Sequence, residues 1–176
     1  MDLEHKFCQL GQDVTLTDGA VISGYASLFG QKDQGGDRVV KGAYAASLGR
    51  NASIKMLWQH DPAQPIGVGE EVREDEKGLW VKGRILTDVE KGREAAALVA
   101  AGAIDGLSIG YRTVKAQKDD KGGRLLSELE LWEVSLVTFP MLPEARVAGK
   151  GDEPEARYLH ELAAVFDDAR AALMAR

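Results

Sequence analysis

Alternation of apolar and polar residues with a period of two runs through the first two thirds of this chain and constrains its fold more than any other feature. Side chains on a β-strand point alternately to the two faces of a sheet, so this pattern predicts strands. The alternating segments are also rich in β-branched and aromatic residues, as strands are. They read DVTLT, AVISGYASLF, SIKMLWQ, GLWVKGRIL, GLSIGYRTVKA and LLSELELWEVSLVTF. We therefore expect a β-dominated α+β fold.

Turns and two short helices separate these segments. TDG, DEKG and KDDKGG contain the Asp and Gly residues that tight turns favour, and we expect the last two to join antiparallel hairpins. KGAYAASLGR at residues 41–50 and DVEKGREAAALVAAG at residues 88–102 are predicted helices. In the second helix, Asp88 can cap the first turn and Gly102 can end the last. Its predicted apolar face consists of Ala95, Leu98 and Val99.

One domain and an appendage account for the length of the chain. A chain of 176 residues, 44% of them hydrophobic, can bury one sizeable core and is short for two. After the last alternating segment the sequence changes to AGKGDEP, which is rich in glycine, proline and charge, and then to a helical pattern. We therefore expect a β-rich domain over residues 1–147 and a linker with a C-terminal amphipathic helix over residues 148–176.

The predicted C-terminal helix has a single apolar stripe. Its members follow one another at spacings of three and four residues: Leu159, Leu162, Phe166, Ala169 and Leu173. Such a stripe either docks on the domain and completes its core or pairs with a partner helix and allows self-association. The sequence leaves both alternatives open.

Charge and cysteine content exclude several classes of protein. The chain has 22 Lys and Arg against 28 Asp and Glu, a net charge of −6, and no concentrated basic run, so we expect no direct contact with nucleic acid. No apolar run is long enough to cross a bilayer and no apolar signal segment begins the sequence, so we expect a soluble cytoplasmic protein without a membrane partner. Cys8 is the only cysteine, which excludes an intrachain disulfide and a cysteine metal site. We expect no cofactor and no metal.

A serine lies in an unusual setting in the segment DGLSIGYRTV. If this segment is a strand, Leu107, Ile109 and Tyr111 share its apolar face, whereas Ser108 shares the other face with glycines at 106 and 110. Glycine weakens a strand unless something approaches the backbone closely, so these glycines indicate open space around the hydroxyl. Ser108 is therefore a candidate nucleophile, and a structural or solvated serine is the alternative.

A carboxylate lies in a similar setting in ELWEVSLVTF. The same alternation predicts that Trp132, Val134 and Leu136 share one face of this strand. Glu133 then lies on the less apolar face, together with Leu131 and Ser135. A solvated carboxylate is the alternative interpretation.

His60 supplies the remaining group that acyl transfer needs. The chain has three histidines, and this one lies at a strand end, just before Asp61-Pro62 breaks the alternation. A serine, a histidine and a carboxylate on three elements can form a nucleophile, a general base and a group that orients the base. A satisfied core or surface histidine is the alternative.

Five blocks of the sequence, in order, resemble the prohead maturation proteases of tailed bacteriophages. They read GYASLFGQKDQGGDRVVKGAYAASL, MLWQHDPAQPIG, GLWVKGRI, GLSIGY and WEVSLVTFP, within about residues 12–147. The resemblance implies the fold of the herpesvirus assemblins, an antiparallel β-barrel with peripheral helices, and the activity of a serine protease. It also implies that His60 of the QHD block is the general base and that Ser108 of GLSIGY is the nucleophile.

The third catalytic group and the oxyanion hole depart from the assemblin pattern. Assemblins use a second histidine on the strand after the serine strand, and the matching place in this sequence is Glu133. A carboxylate can also orient an imidazole, because it accepts the Nδ1 hydrogen bond and stabilises the imidazolium. Asp61 is the alternative, although a residue adjacent to His60 folds back to Nδ1 with difficulty. Assemblins hold the oxyanion with an arginine pair where this chain has FPMLPEAR, so the candidates are backbone amides of the 140–143 loop and Arg146.

The resemblance therefore predicts a serine endopeptidase with a triad of Ser108, His60 and Glu133. Its expected substrates are the scaffold, or a scaffolding segment of the major capsid protein, and the protease itself during procapsid maturation. Its expected location is the assembling procapsid in the cytoplasm of the host bacterium. The alternative from another class is a non-catalytic assembly factor that uses the same barrel to bind capsid protein or scaffold.

Overall fold

The computed structural model describes residues 4–7, 15–17, 20–33, 35–50, 54–120 and 122–138. These residues form nine strands and two helices. The strands are β1 (Glu4–Phe7), β2 (Thr15–Thr17), β3 (Val21–Leu28), β4 (Arg38–Val39), β5 (Lys55–Trp58), β6 (Asp61–Glu74), β7 (Gly78–Ile85), β8 (Gly106–Lys118) and β9 (Arg124–Val137). The helices are α1 (Ala45–Leu48) and α2 (Glu90–Ala100). The predicted linker and C-terminal helix over residues 148–176 lie outside the described residues.

All nine strands belong to one curled sheet. Hydrogen-bonded neighbours follow the order β1-β8-β9-β5-β6-β7-β3-β2, and β4 pairs with β9 beside this path. The sheet curls far enough for β3 to contact both β1 and β8, which gives the outline of half a barrel. The predicted dominance of strands is confirmed, and so are the β6–β7 and β8–β9 hairpins at the DEKG and KDDKGG turns.

The predicted antiparallel barrel is wrong in two respects. β9 pairs in parallel with β4 and with β5, so the sheet is mixed. Within the described residues the hydrogen-bonded path also ends at β1 and β2 and does not close into a ring. Parallel neighbours need a long connection, and β6, β7, α2 and β8 all lie between β5 and β9. The pairing of β9 with both β5 and β8 places the carboxyl ends of β5 and β9 beside the beginning of β8.

The hydrophobic core lies on one face of this sheet. On β8, Leu107, Ile109 and Tyr111 are at most 2% exposed and belong to the core, as the alternation predicts. On β9 the alternation is interrupted, because the partners of Gly110 and Tyr111, which are Glu133 and Leu131, lie two positions apart where one would be regular. The extra residue changes the faces on either side of it.

The consequence of this bulge is that Leu131 and Trp132 exchange the faces that the sequence predicted for them. Leu131 is 2% exposed and lies in the core with Val134 and Leu136, whereas Trp132 is 43% exposed. Glu133 and Ser135 remain on the opposite face, as predicted, yet both are buried.

The two helices are shorter than the sequence indicates. α1 has only four residues of the predicted 41–50 segment. α2 begins after Val89 and has no side-chain cap, so the predicted cap at Asp88 is wrong. Gly102 has φ +70° just beyond the end of α2 and terminates the helix as predicted. Neither helix within the described ranges has the length and apolar character needed to cross a membrane.

Close packing decides which residues of α2 are buried. A Cβ at Gly92 would lie 2.0 Å from the carbonyl oxygen of Leu86, so the helix rests directly on backbone. Small side chains therefore face the sheet, and Leu98 is 36% exposed, contrary to the prediction. The buried residues of α2 are Gly92, Ala95, Ala96 and Val99.

Candidate active site

A two-residue turn between β5 and β6 carries His60. Gln59 and His60 both have positive φ, 52° and 63°, which is typical of the tight turns that suit a twisted hairpin. Neither residue is Gly or Asn, so the turn costs on the order of 1 kcal/mol or more in backbone strain. Hydrogen bonds fasten Gln59 to the end of β9: its N–H donates to Leu136 O (3.0 Å), its Nε2 donates to Thr138 Oγ1 (2.6 Å), and its Oε1 accepts the Thr138 N–H (3.3 Å).

His60 joins a hydroxyl and a carboxylate from two neighbouring strands. Its Nε2 lies 2.6 Å from Ser108 Oγ on β8, and its Nδ1 lies 2.6 Å from Glu133 Oε1 on β9. In the antiparallel β8–β9 pair, Ser108 is opposite Ser135 and Gly110 is opposite Glu133, so these residues share one face. The structure thus brings together the serine, the histidine and the carboxylate that the sequence analysis selected.

Ser135 completes this cluster, and the sequence analysis assigned it no role. Its hydroxyl donates to Glu133 Oε2 (2.6 Å) and accepts the backbone N–H of His60 (3.1 Å). One side chain therefore holds both the carboxylate and the turn. Ser135 lies two residues after Glu133 on the same face of β9, and that spacing was the signal that could have revealed it.

Gly110 leaves room for the carboxylate of Glu133. A Cβ at position 110 would lie 2.2 Å from Glu133 Oε1, far inside van der Waals contact. The glycines at 106 and 110 predicted open space around the hydroxyl of Ser108. At Gly110 that space is filled by the side chain of the neighbouring strand.

The cluster is shielded from water. Ser108 and Ser135 are completely buried, Glu133 is 4% exposed, and the side chain of His60 is 11% exposed. A buried carboxylate is stable where hydrogen bonds replace its lost hydration, and each oxygen of Glu133 has such a bond. Interactions among these groups are stronger here than in water, because the surroundings screen them less.

The alternative carboxylate, Asp61, is engaged within its own segment. It begins β6, at the point where the sequence predicted a break in the strand. Its carboxylate accepts hydrogen bonds from the Ala63 N–H (2.8 Å) and from Gln64 Nε2 (2.6 Å). These two hydrogen bonds lower the pKa of Asp61 below its ordinary value. The group 2.6 Å from Nδ1 of His60 is Glu133.

The serine, imidazole and carboxylate form a series in which a proton can move. The imidazole can take the hydroxyl proton through Nε2, while the carboxylate stabilises the cation that results. The two candidates for an oxyanion hole, the 140–143 loop and Arg146, lie outside the described residues. In the part of the chain that the structure describes, no group of three or more His, Cys, Asp or Glu side chains could hold a metal ion.

Comparisons of the sequence with known proteins point to phage assembly. A family model described as caudovirus prohead serine protease matches residues 10–158. The prohead protease of Enterobacteria phage HK97 is 30% identical over 135 residues, which cover 73% of this chain and 59% of that protein. The capsid polyprotein of Pseudomonas phage PAJU2 is 33% identical over 102 residues, which cover 53% of this chain and 15% of the polyprotein. The chain therefore spans little more than half of the first relative and a small part of the second.

Among solved structures, the capsid assembly protease gp21 of bacteriophage T4 has a similar fold. The alignment has a TM-score of 0.63 at 14% identity and covers 77% of this chain and 96% of that one. The varicella-zoster virus protease aligns with a TM-score of 0.43 at 15% identity, over 70% of this chain and 60% of that one. Only the TM-score with the T4 protease indicates a shared fold. Because the two sequences are 14% identical, this similarity shows the fold alone.

Proposed function

Since the chain belongs to the caudovirus prohead serine protease family, we propose that it is a serine endopeptidase. Ser108 is its nucleophile, His60 its general base, and Glu133 the residue that orients His60. The observation that carries this proposal is the pair of 2.6 Å contacts that link the three side chains through the two nitrogens of one imidazole. A serine hydroxyl is a weak nucleophile until a base removes its proton, and this arrangement supplies that base.

The contacts of His60 are compatible with the tautomer that the reaction needs. With Glu133 ionised, Nδ1–H donates to Oε1, which leaves the Nε2 lone pair to accept the Ser108 hydroxyl. As Oγ bonds to the carbonyl carbon of the scissile peptide, its proton passes to Nε2 and the carbonyl π electrons move to oxygen. The carboxylate stabilises the imidazolium that forms.

The second half of the cycle uses the same groups in reverse. The tetrahedral intermediate collapses, the C–N bond breaks, and His60 gives its proton to the departing amine. Water then attacks the acyl-serine, His60 takes a proton from this water, and that proton returns to Oγ as the acid leaves. One water is consumed for each peptide bond that is cleaved.

Ser135 and the strained turn are positioning features in this proposal. Ser135 prevents the Glu133 carboxylate from rotating away from Nδ1 and ties it to the backbone of His60. The bonds from Gln59 to β9 hold the imidazole over β8. Proton transfer depends steeply on the alignment of the imidazole with the hydroxyl. We therefore expect that the strained turn is retained because it fixes the imidazole in position.

The proposed substrates are the scaffold, or a scaffolding segment of the major capsid protein, and the protease itself, within the assembling procapsid in the host bacterium. Two relatives support this proposal by their own names: a prohead protease and a capsid polyprotein. The polyprotein is the more specific of the two, because part of a capsid polyprotein is similar to this chain.

Co-expression with the major capsid protein tests the proposal. Intact-mass spectrometry should show the capsid protein and the protease becoming shorter with time when the protease is wild type. Ser108→Ala should abolish this cleavage, and His60→Ala should add nothing to that loss, because a catalytic unit broken once is already broken. Ser127→Ala is the matched control, since the hydroxyl of Ser127 donates a long 3.4 Å bond to Lys115 O and lies outside the cluster.

Two results would contradict the proposal. Undiminished cleavage by Ser108→Ala would place the nucleophile elsewhere. Stable binding of wild-type protein to the capsid protein, with no change in either mass, would instead support the non-catalytic assembly factor.

A further inference from the structure

The strand β1 lies beside the strand that carries Ser108. The neighbours of β8 in the sheet are β9 on one side and β1 on the other. β1 runs antiparallel to β8, with Glu4 opposite Tyr111 and Phe7 opposite Ser108. β1 also precedes residue 10, where the match to the family model begins. It therefore lies outside the matched residues and beside the candidate nucleophile.

A peptide substrate has to bring a carbonyl carbon to Ser108 Oγ. Ser108 is completely buried, so its surroundings have to open before a peptide can reach it. Extended peptides commonly bind by adding a strand to the edge of a sheet. On the β9 side of β8 lie Glu133 and Ser135, which are part of the candidate active site itself. The other edge of β8 is the one that β1 occupies.

We propose that β1 is an intramolecular occupant of the edge of β8 that receives the extended peptide substrate, so that β1 has to leave before cleavage begins. The inference rests on the proposed protease function and adds to it a competitor built into the chain. The register supports it, because β1 approaches β8 antiparallel and reaches the position opposite Ser108, as a strand-like substrate would.

The contacts of β1 are weak enough for displacement. Its ladder with β8 has four residue pairs, compared with a ladder along nearly the whole length of β8 on the β9 side. Its first residue is anchored by the 2.6 Å ion pair between Glu4 and Arg124, whose side chains are 37% and 45% exposed, and by hydrogen bonding between Glu4 and Thr113. Exposed ion pairs of this kind contribute little, and short edge strands open more readily than central ones.

Charge reversal at Glu4 tests the inference in the full-length chain. Glu4→Arg replaces an attraction to Arg124 by a repulsion and should raise the fraction of molecules with β1 released. A fluorescent fluorophosphonate is the probe, since Ser108 Oγ displaces its fluoride and forms a stable Oγ–P bond. The labelling rate should rise roughly two- to fivefold, because access is proportional to the open fraction. Glu4→Gln should raise the labelling rate by a smaller factor. This variant serves as the test if Glu4→Arg does not fold.

Glu70→Arg is the matched control for charge. Glu70 forms a similar exposed pair with Arg84, at 3.0 Å, between β6 and β7. The change in net charge is the same as in Glu4→Arg, but β1 is untouched, so the labelling rate should equal that of wild type.

A peptide in trans provides the second arm. A synthetic peptide of residues 1–10, with Cys8 replaced by serine, should slow labelling of Glu4→Arg back toward the wild-type rate. The same peptide with arginine in place of Glu4 should have little effect. Equal labelling of wild type, Glu4→Arg and Glu4→Gln would overturn the inference and leave the proposed function standing. Failure of every variant to react at Ser108 would instead contradict the proposed function.

Discussion

The candidate active site lies near the end of β9, and a second polar cluster lies at the beginning of the same strand. We call the first the catalytic cluster, formed by Ser108, His60, Glu133 and Ser135. The second, the ionic cluster, ties the segment after β3 to the β8–β9 hairpin. It is formed by Glu4, Asp37, Arg38, Asp119 and Arg124. Both clusters join distant parts of the chain through short contacts.

The clusters differ in what their contacts can do. In the ionic cluster, Arg124 Nη2 lies 2.6 Å from Asp37 Oδ2, and hydrogen bonds to Asp37 and Glu4 raise the pKa of Arg124 above an already high value. A guanidinium that keeps its protons can attract but cannot relay. In the catalytic cluster, the hydroxyls and the imidazole can each donate and accept. Charge pairs therefore suit a structural tie, whereas groups that can both donate and accept a proton suit proton transfer.

Glu133→Gln should have the largest effect on activity, and it changes the catalytic cluster alone. An amide nitrogen at Nδ1 favours the wrong tautomer of His60, and the amide cannot stabilise an imidazolium. We expect kcat/KM for capsid-protein cleavage to fall roughly 10²- to 10⁴-fold. Far-ultraviolet circular dichroism and the melting temperature should change little. A variant that retains most of its activity would remove Glu133 from the mechanism and return Asp61 as a candidate.

Gly110→Ala should separate activity from folding. A Cβ there would lie 2.2 Å from Glu133 Oε1, and a side chain can move away where backbone cannot. The carboxylate then leaves Nδ1 of His60, so we expect activity to fall about 100-fold for a loss of about 2–3 kcal/mol in transition-state stabilisation. Unfolding in urea should show a smaller change. Full activity in this variant would mean that the carboxylate position is not critical.

Gly123→Ala is the counterpart in the loop that the ionic cluster holds. Gly123 has φ +98°, and its Cβ would lie 1.8 Å from the carbonyl oxygen of Gly36. The three nearest atoms all belong to the backbone of Gly36, so we expect a loss of at least about 2 kcal/mol in the free energy of unfolding. Labelling of Ser108 per folded molecule should not fall below the wild-type rate, because the substitution leaves Ser108, His60 and Glu133 in place. A loss of labelling at unchanged stability would show that the two ends of β9 are coupled.

The surroundings of Gly110 also show how much of the molecule could be predicted from the sequence. The setting of Ser108 between glycines was visible as a pattern, and alternation placed Glu133 and Ser135 on one face of β9. The carboxylate that fills the space at Gly110 comes from the neighbouring strand. Strand register depends on contacts between distant residues, so a pattern within one segment could not reveal it.

The errors of the sequence analysis have the same origin. A bulge reverses Leu131 and Trp132, because one extra residue shifts the alternation without changing composition. The parallel pairing of β5 and β9 is a choice among many long-range pairings that alternation does not distinguish. The hairpins were predicted correctly because their turn residues are local.

Ser135→Ala should have a smaller effect on activity than the changes to Glu133 and Gly110. It removes the bond to Glu133 Oε2 and the acceptor for the His60 N–H, but the three proposed catalytic side chains remain. Losing a buried hydrogen bond costs about 1–3 kcal/mol, and we expect roughly a tenfold decrease in kcat. Because the residue acts by positioning, Ser135→Thr, which keeps the hydroxyl, should recover part of the activity. Equal activity of wild type and Ser135→Ala would assign Ser135 to folding alone.

Arg38→Met should give the smallest effect and should act on stability alone. Arg38 Nη1 lies 2.7 Å from Asp119 Oδ2, and the two side chains are 22% and 9% exposed. Methionine keeps most of the apolar stem, so the change removes chiefly the charge pair. We expect a loss of about 1 kcal/mol in the free energy of unfolding, measured in urea at low salt. The difference from wild type should shrink in 1 M NaCl, because salt at about that concentration screens partly exposed charges.

Cleavage per folded molecule should be unchanged, since no atom of this pair belongs to the catalytic cluster. Reduced cleavage at wild-type stability would contradict the division of β9 into a structural end and a catalytic end.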